Sequence, residues 1–194
     1  MTRTATLDRR TNETAISGRI DLDGTGVSDV NTGLGFLDHM IATLTKHSGF
    51  DLELHAVGDT AVDDHHTVED CAIVLGRGIA EALDDRTGIR RFGYAYAALD
   101  ESLVRSVVDL SGRPWPEIHI DLTREQIGAV AAENIVHFFR TLALEGRMAL
   151  HVDLIRGDND HHRAEAAFKA TALALRSAVE ITGGETPSTK GTLT

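Results

Sequence analysis

Cysteine is nearly absent from this chain of 194 residues. The single Cys71 excludes an intramolecular disulfide, and on an apolar-periodic segment it reads as a buried small hydrophobe rather than a nucleophile. Positive charge is scarce too: the formal net charge is -11, and no Lys/Arg cluster offsets it, which argues against a nucleic-acid-binding surface. Only three lysines stand beside sixteen arginines, a bias that says nothing about function. No 18-residue apolar run exists to span a membrane, and residues 1–10 lack the apolar stretch of a signal peptide, so the expected location is the cytoplasm. What remains is an ordinary globular balance, 42% hydrophobic and 25% charged, long enough to bury a core without staples.

Histidine is where the sequence concentrates its chemistry. Asp63-Asp64-His65-His66-Thr67-Val68-Glu69-Asp70 recurs in altered form as Asn159-Asp160-His161-His162-Arg163-Ala164-Glu165. If each copy opens a helix with Asp64 or Asp160 as N-cap, the first histidine and the glutamate stand at i and i+4 on one face. His65 then chelates with Glu69, and His161 with Glu165. The second histidine is turned about 100° around the helix and must reach another ion. Two copies therefore suggest two ions with crossed ligands: His65, Glu69 and His162 for one, His161, Glu165 and His66 for the other. One isolated His-His pair is ordinarily a solvated helix start; duplication of the whole pattern argues for metal. Imidazole and carboxylate without thiolate suit Mn, Fe, Ni, Co or Zn.

The flanking segments repeat as well. Residues 5–22 alternate like a strand, and Glu13 among polar neighbours reads as a solvated strand residue. Residues 36–48 read as a helix ending at Gly49, and Phe50, Leu52, Leu54 and Ala56 as the inner face of a strand. The first doublet's helix carries Val68, Ala72, Leu75, Ile79 and Leu83 at core spacing. The order returns as a helix from about Arg124 or Glu133 to Gly146, a strand through Leu150 and Val152, and a helix from His161 to about Ile181. The chain reads as a tandem duplication. His39 and His137 lie 98 residues apart, against 96 for the doublets, so symmetry nominates each as a fourth ligand. His47, His55, His119 and His151 have no such echo and read as surface residues. The tail Pro187-Ser188-Thr189-Lys190-Gly191, with Arg91 and Arg113, offers hydroxyl, ammonium and guanidinium donors suited to a phosphate.

These stretches, with Thr32-Gly33-Leu34-Gly35-Phe36-Leu37-Asp38-His39-Met40, Asp100-Glu101 and Asp109-Leu110-Ser111-Gly112-Arg113-Pro114, make the chain resemble the imidazoleglycerol-phosphate dehydratases of histidine biosynthesis. The resemblance implies an α+β fold of two duplicated half-domains, residues 1–93 and 94–182, followed by a substrate-binding tail, 183–194. Each half would be a four-stranded sheet with two helices on one face, like domain 2 of ribosomal protein S5. It implies trimers assembled into a 24-subunit shell with active sites at subunit contacts, and two Mn²⁺ ions per site. One ion would take His39, His66, His161 and Glu165; the other His65, Glu69, His137 and His162. Substrate contacts implied are Glu13, His39, His47, Arg91, Arg113, Lys169, Ser188, Thr189 and Lys190. No fused phosphatase domain is matched.

The reaction implied removes water from imidazole glycerol phosphate to give imidazole acetol phosphate, through an imidazolate stabilised by the two manganese ions. The proton to be lost lies on a carbinol carbon with no adjacent carbonyl, beyond the reach of a simple base. Glu13, His65 and Glu165 are the residues expected to carry the chemistry, Glu13 as the proton-transfer group. The residues alone leave two rivals, a di-metal hydrolase and a metal-storage shell.

Overall fold

The computed structural model describes residues 2–193. Two successive hairpins of alternating pattern open the two halves. β1 (Thr4–Arg10) and β2 (Thr14–Asp21) pair antiparallel, followed by β3 (Ser28–Asn31), α1 (Gly35–Ser48), β4 (Asp51–Gly58) and α2 (His65–Leu83). The second half repeats the order with β5 (Phe92–Leu99), β6 (Ser102–Asp109), β7 (Trp115–His119), a small hairpin of β8 (Gln126–Ile127) and β9 (Val130–Ala131), α3 (Ala132–Glu145), β10 (Ala149–Arg156) and α4 (Asp160–Ala178). The sheets have matching topologies, β1-β2-β4-β3 and β5-β6-β10-β7, each with its last strand parallel to its neighbour. This is the expected duplicated α+β architecture.

Every sheet buries one face because its strands alternate: Ile16 and Ile20 on β2, Leu52 and Leu54 on β4, Val104 and Val108 on β6, Leu150 and Val152 on β10 are all under 6% exposed. α1 and α2 cover the first sheet, α3 and α4 the second. The four helices also pack on one another, α1 with α4 and α2 with α3, so a single core runs from sheet to sheet. Close approach depends on small residues. Gly76 lies against Gly146 and Leu142 where α2 meets α3; a Cβ there would stand 2.8 Å from Gly146 N. Gly93 of β5 lies under α4, whose Ala164, Ala167, Ala170, Ala174 and Ala178 are fully buried. Phe138, Phe139 and Phe168 fill the centre, with ring centroids 4.6 to 5.9 Å apart.

Several elements differ from the expectations. Residues 5–22 form two strands, placing Glu13 on the connecting turn, where Thr11 Oγ1 accepts from the amides of Glu13 and Thr14. β3 supplies the fourth strand that the resemblance implies, although its sequence, Ser-Asp-Val-Asn, has no apolar alternation to mark its place. α3 starts at Ala132, not Arg124, because 126–131 are taken by the β8–β9 hairpin. α4 ends at Ala178, and Ile181 bridges to Ile89 instead of extending it. Asp64 and Asp160 are not the capping side chains. Asp63 accepts from the His65 amide and Asn159 from those of His161 and His162, one residue earlier in each copy. The Asp64 carboxylate instead accepts from Ala131 N, and Asp160 from Thr123 N and Arg124 N, so both fasten the doublets to neighbouring segments. Cys71 is fully buried, and burial pushes its thiol up, as its expected inert role requires. No helix among the described residues is long and apolar enough to cross a membrane.

Candidate metal centre

Parallel helix pairs bring the histidines together. α1 lies beside α4 and α2 beside α3 with their N-termini at the same end, so residues in the first turns of each pair meet. His39, His161 and Glu165 form one cluster and His65, Glu69 and His137 the other; within each, the donor atoms all lie within 4.8 Å of one another. In the first, Glu165 Oε2 stands 3.2 Å from both His39 Nε2 and His161 Nε2. In the second, Glu69 Oε1 is 3.0 Å from His137 Nε2, and the His65 and His137 rings stack with centroids 5.0 Å apart.

The donor set and spacing fit a divalent ion. Ligand atoms about 2.1 Å from one ion stand roughly 3.0–3.5 Å apart, the separation seen around each glutamate. Both clusters contain two imidazoles and one carboxylate, and helix N-termini favour the carboxylates. His65 Nδ1 is 2.8 Å from Asn134 Oδ1, an acceptor; Nδ1 is therefore the donor and Nε2 is left with its lone pair for a cation. Burial pushes the Glu165 carboxyl up, but Lys169 at 2.7 Å and His39 outweigh it and hold the group below the ordinary range, ionised.

His66 and His162 do not join either cluster within the chain. His66 Nδ1 lies 3.1 Å from Asp59, and its Nε2 is 3.8 Å from Glu13. His162 Nδ1 lies 2.7 Å from Glu101, and its Nε2 is 3.8 Å from Asp100. These carboxylates raise the pKa of both imidazoles. Asn134 and Asp59 went unmarked in the sequence: neither sits in the repeated motif, and only the fold brings them to a histidine.

The phosphate candidates divide. Lys169 stands beside Glu165, and His47, half-buried on α1, is near enough for the Lys169 charge, after burial itself, to lower its pKa. Arg91 and the tail meet elsewhere. Arg91 donates to Asp109 through Nε at 2.6 Å and Nη2 at 3.0 Å and to Pro187 O through Nη1 at 2.9 Å. One N–H on each terminal nitrogen remains, enough to grip a phosphate. Gly88 N donates to Glu185 O, and Lys190 N to Ser188 Oγ, so Ser188, Thr189 and Lys190 are held beside the segment that follows α2. The Arg113 and Lys190 side chains are exposed. Arg91 has φ 71 and is fastened by Arg91 N to Ala178 O and Leu110 N to Arg91 O, a left-handed conformation its surroundings impose. His55, His119 and His151 are exposed, as expected.

Comparisons with known proteins cover most of the chain. Residues 32–175 match the family model described as imidazoleglycerol-phosphate dehydratase. An imidazoleglycerol-phosphate dehydratase of Phytophthora nicotianae is 55% identical over 98% of this chain, which spans 42% of that longer protein. One from Candida glabrata is 48% identical over 97% of this chain and 99% of its own length. The crystal structure of the Staphylococcus aureus enzyme of that name superposes with a TM-score of 0.84 at 39% identity, covering 92% of this chain and 99% of the other.

Proposed function

The chain belongs to the imidazoleglycerol-phosphate dehydratase family, and on that footing we propose that it converts imidazole glycerol phosphate to imidazole acetol phosphate and water, in histidine biosynthesis, at centres that hold two Mn²⁺ ions. The observation that carries the reading is the pair of equivalent His/His/Glu clusters, each built across a helix pair and spaced for one ion. When bound, the ions would supply the Lewis acidity that lowers the pKa of the substrate's imidazole N–H. His39, His161 and Glu165 would hold one, and His65, Glu69 and His137 the other.

One chain does not make a whole site. Both clusters lie at the N-terminal ends of α2 and α4, whereas Arg91 and the tail lie at the C-terminal ends of the same helices, against Gly88 and Ala178. From Glu165 to Ala178 the helix rises about 20 Å, too far for one small phosphoester. Copies of the chain therefore combine, and His66 and His162 serve as the fourth donors to clusters of neighbouring copies. An assembly of trimers in a 24-subunit shell accommodates this. The outer face of the second sheet supports it: Tyr94, Tyr96 and Trp115 are 57 to 75% exposed there, with Val107 opposite Tyr94.

Within the joined site, Arg91, Arg113, Ser188, Thr189 and Lys190 grip the phosphate and so fix the imidazole end. Because Glu13 lies 3.8 Å from His66 Nε2, it travels with His66 to the neighbouring centre. There its exposed carboxylate is placed to move a proton at the carbinol carbon or the leaving hydroxyl. The test is turnover of imidazole glycerol phosphate by chelator-stripped protein before and after Mn²⁺ addition. Restored activity is the expected result. Full metal loading without turnover would overturn the assignment, and phosphate release from generic esters would point to a hydrolase instead.

A further inference from the structure

Each doublet's second histidine is gripped on one ring nitrogen by a carboxylate outside the doublet. Glu101, on the β5–β6 turn, makes the fuller grip. Its Oε2 is 2.7 Å from His162 Nδ1, while its Oε1 accepts from Ser102 Oγ at 3.0 Å and from the amides of Asp158 and Asn159 at 3.2 and 2.9 Å. An ionised carboxylate only accepts, so His162 Nδ1 is the donor, and in the neutral ring Nε2 carries the lone pair. The same carboxylate fixes the loop that launches α4, so ring orientation and backbone position are set together. Asp59 stands in the same relation to His66, with both oxygens 3.1 to 3.2 Å from Nδ1 and no further contacts to the doublet among the described residues.

We propose that Glu101 is a positioning residue: by holding His162 Nδ1–H it makes Nε2 the metal-ligating nitrogen, and Asp59 does the same, more loosely, for His66. The inference deepens the two-ion reading and rests on it. Neither residue touches substrate or ion; each acts through an imidazole.

Glu101→Gln separates this role from loop bracing. The two backbone amides and Ser102 keep the amide oxygen on their side, so the Gln NH2 turns to His162 Nδ1 and donates to it. That forces the proton onto Nε2 and removes the lone pair while leaving the loop contacts. The measurement is Mn²⁺ binding to the assembled protein, followed through the electron paramagnetic resonance signal of free Mn²⁺, with thermal unfolding of the metal-free protein alongside. The expected result is about a 10- to 100-fold loss of affinity at one of two ions per chain, with the other ion and the unfolding midpoint unchanged. Glu101→Ala should lose the same ion and also lower the midpoint; Asp59→Ala should weaken the other ion. Two undiminished ions in Glu101→Gln, beside two in the unaltered chain, would overturn the positioning role and leave the metal reading intact. An unaltered chain that binds no Mn²⁺ would overturn both.

Discussion

The two hairpin turns occupy equivalent places in the repeat but handle their acids differently. Glu13 precedes β2 and Glu101 precedes β6, each next to the second histidine of a doublet. Glu13 is 54% exposed and only approaches His66 at 3.8 Å. Glu101 accepts from an imidazole, a hydroxyl and two amides; the His162 bond foremost, then the backbone amides, holds its carboxyl well below the usual range. A carboxylate so committed stays ionised, whereas the Glu13 carboxylate shows no such set of contacts among the described residues. The repeat has kept the geometry of the two turns while the contacts of their acids have diverged.

The largest effect expected from this contrast is at Glu13. Glu13→Gln should retain both ions and lose about 10²- to 10⁴-fold in turnover, the usual contribution of a positioned acid or base. Unaltered turnover would remove Glu13 from proton transfer, and loss of an ion as in Glu101→Gln would show that the two turns do equivalent work. Steady-state kinetics with metal analysis on the same preparations decides it.

The clusters also differ, at the residue four beyond the ligating glutamate. Lys169 is 2.7 Å from Glu165, while Glu69 has Ile73 in that place. The ammonium neutralises part of the charge an ion would use and, on the proposed function, would offer a donor to the substrate. Lys169→Met should therefore tighten Mn²⁺ at the His39 cluster roughly 3- to 10-fold, by removing a like charge, and raise KM. Competition with a chelator measures the first and initial rates the second. Weaker metal binding would mean that Lys169 organises Glu165 rather than competing for it.

Much of this was legible because it depends on period and repetition. The i, i+4 pairing of His65 with Glu69 and of His161 with Glu165 follows from helical geometry, and the 98-residue echo nominated His39 and His137, which the fold brings to Glu165 and Glu69. The partners of the second histidines were not legible. Asp59 lies on a loop and Glu101 on a turn 61 residues from His162, and no local pattern says which imidazole such a carboxylate will meet. Capping was misplaced by one residue because Asp63-Asp64 and Asn159-Asp160 each present two good caps, and tertiary contacts at Ala131, Thr123 and Arg124 recruit the second. That the tail and the clusters stand at opposite helix ends is likewise a property of packing, invisible to a list of phosphate-binding residues.

The smallest effect lies away from the site, where the halves again diverge. Asp51, at the start of β4, accepts from the amides of Thr25 and Val27 at 2.8 Å each and so braces the loop into β3. The residue in its place on β10 is Ala149, and the corresponding loop is braced in another way, by Trp115 N donating to Met148 O. The amides, Val27 first, lower the Asp51 pKa below its ordinary 3.8. A depressed folded-state pKa contributes stability that is present above the unfolded value and is lost as pH falls through the folded one. The first half should therefore loosen at its β3 edge below about pH 4. Asp51→Ala should lower the unfolding midpoint at pH 7 by about 2–4 °C, as the loss of a two-amide cap would, and the deficit should shrink as pH falls through the acid range. Hydrogen exchange of the Val27 and Leu52 amides reports the site directly. Equal protection at pH 7 and pH 3 would show that Asp51 does not brace the loop.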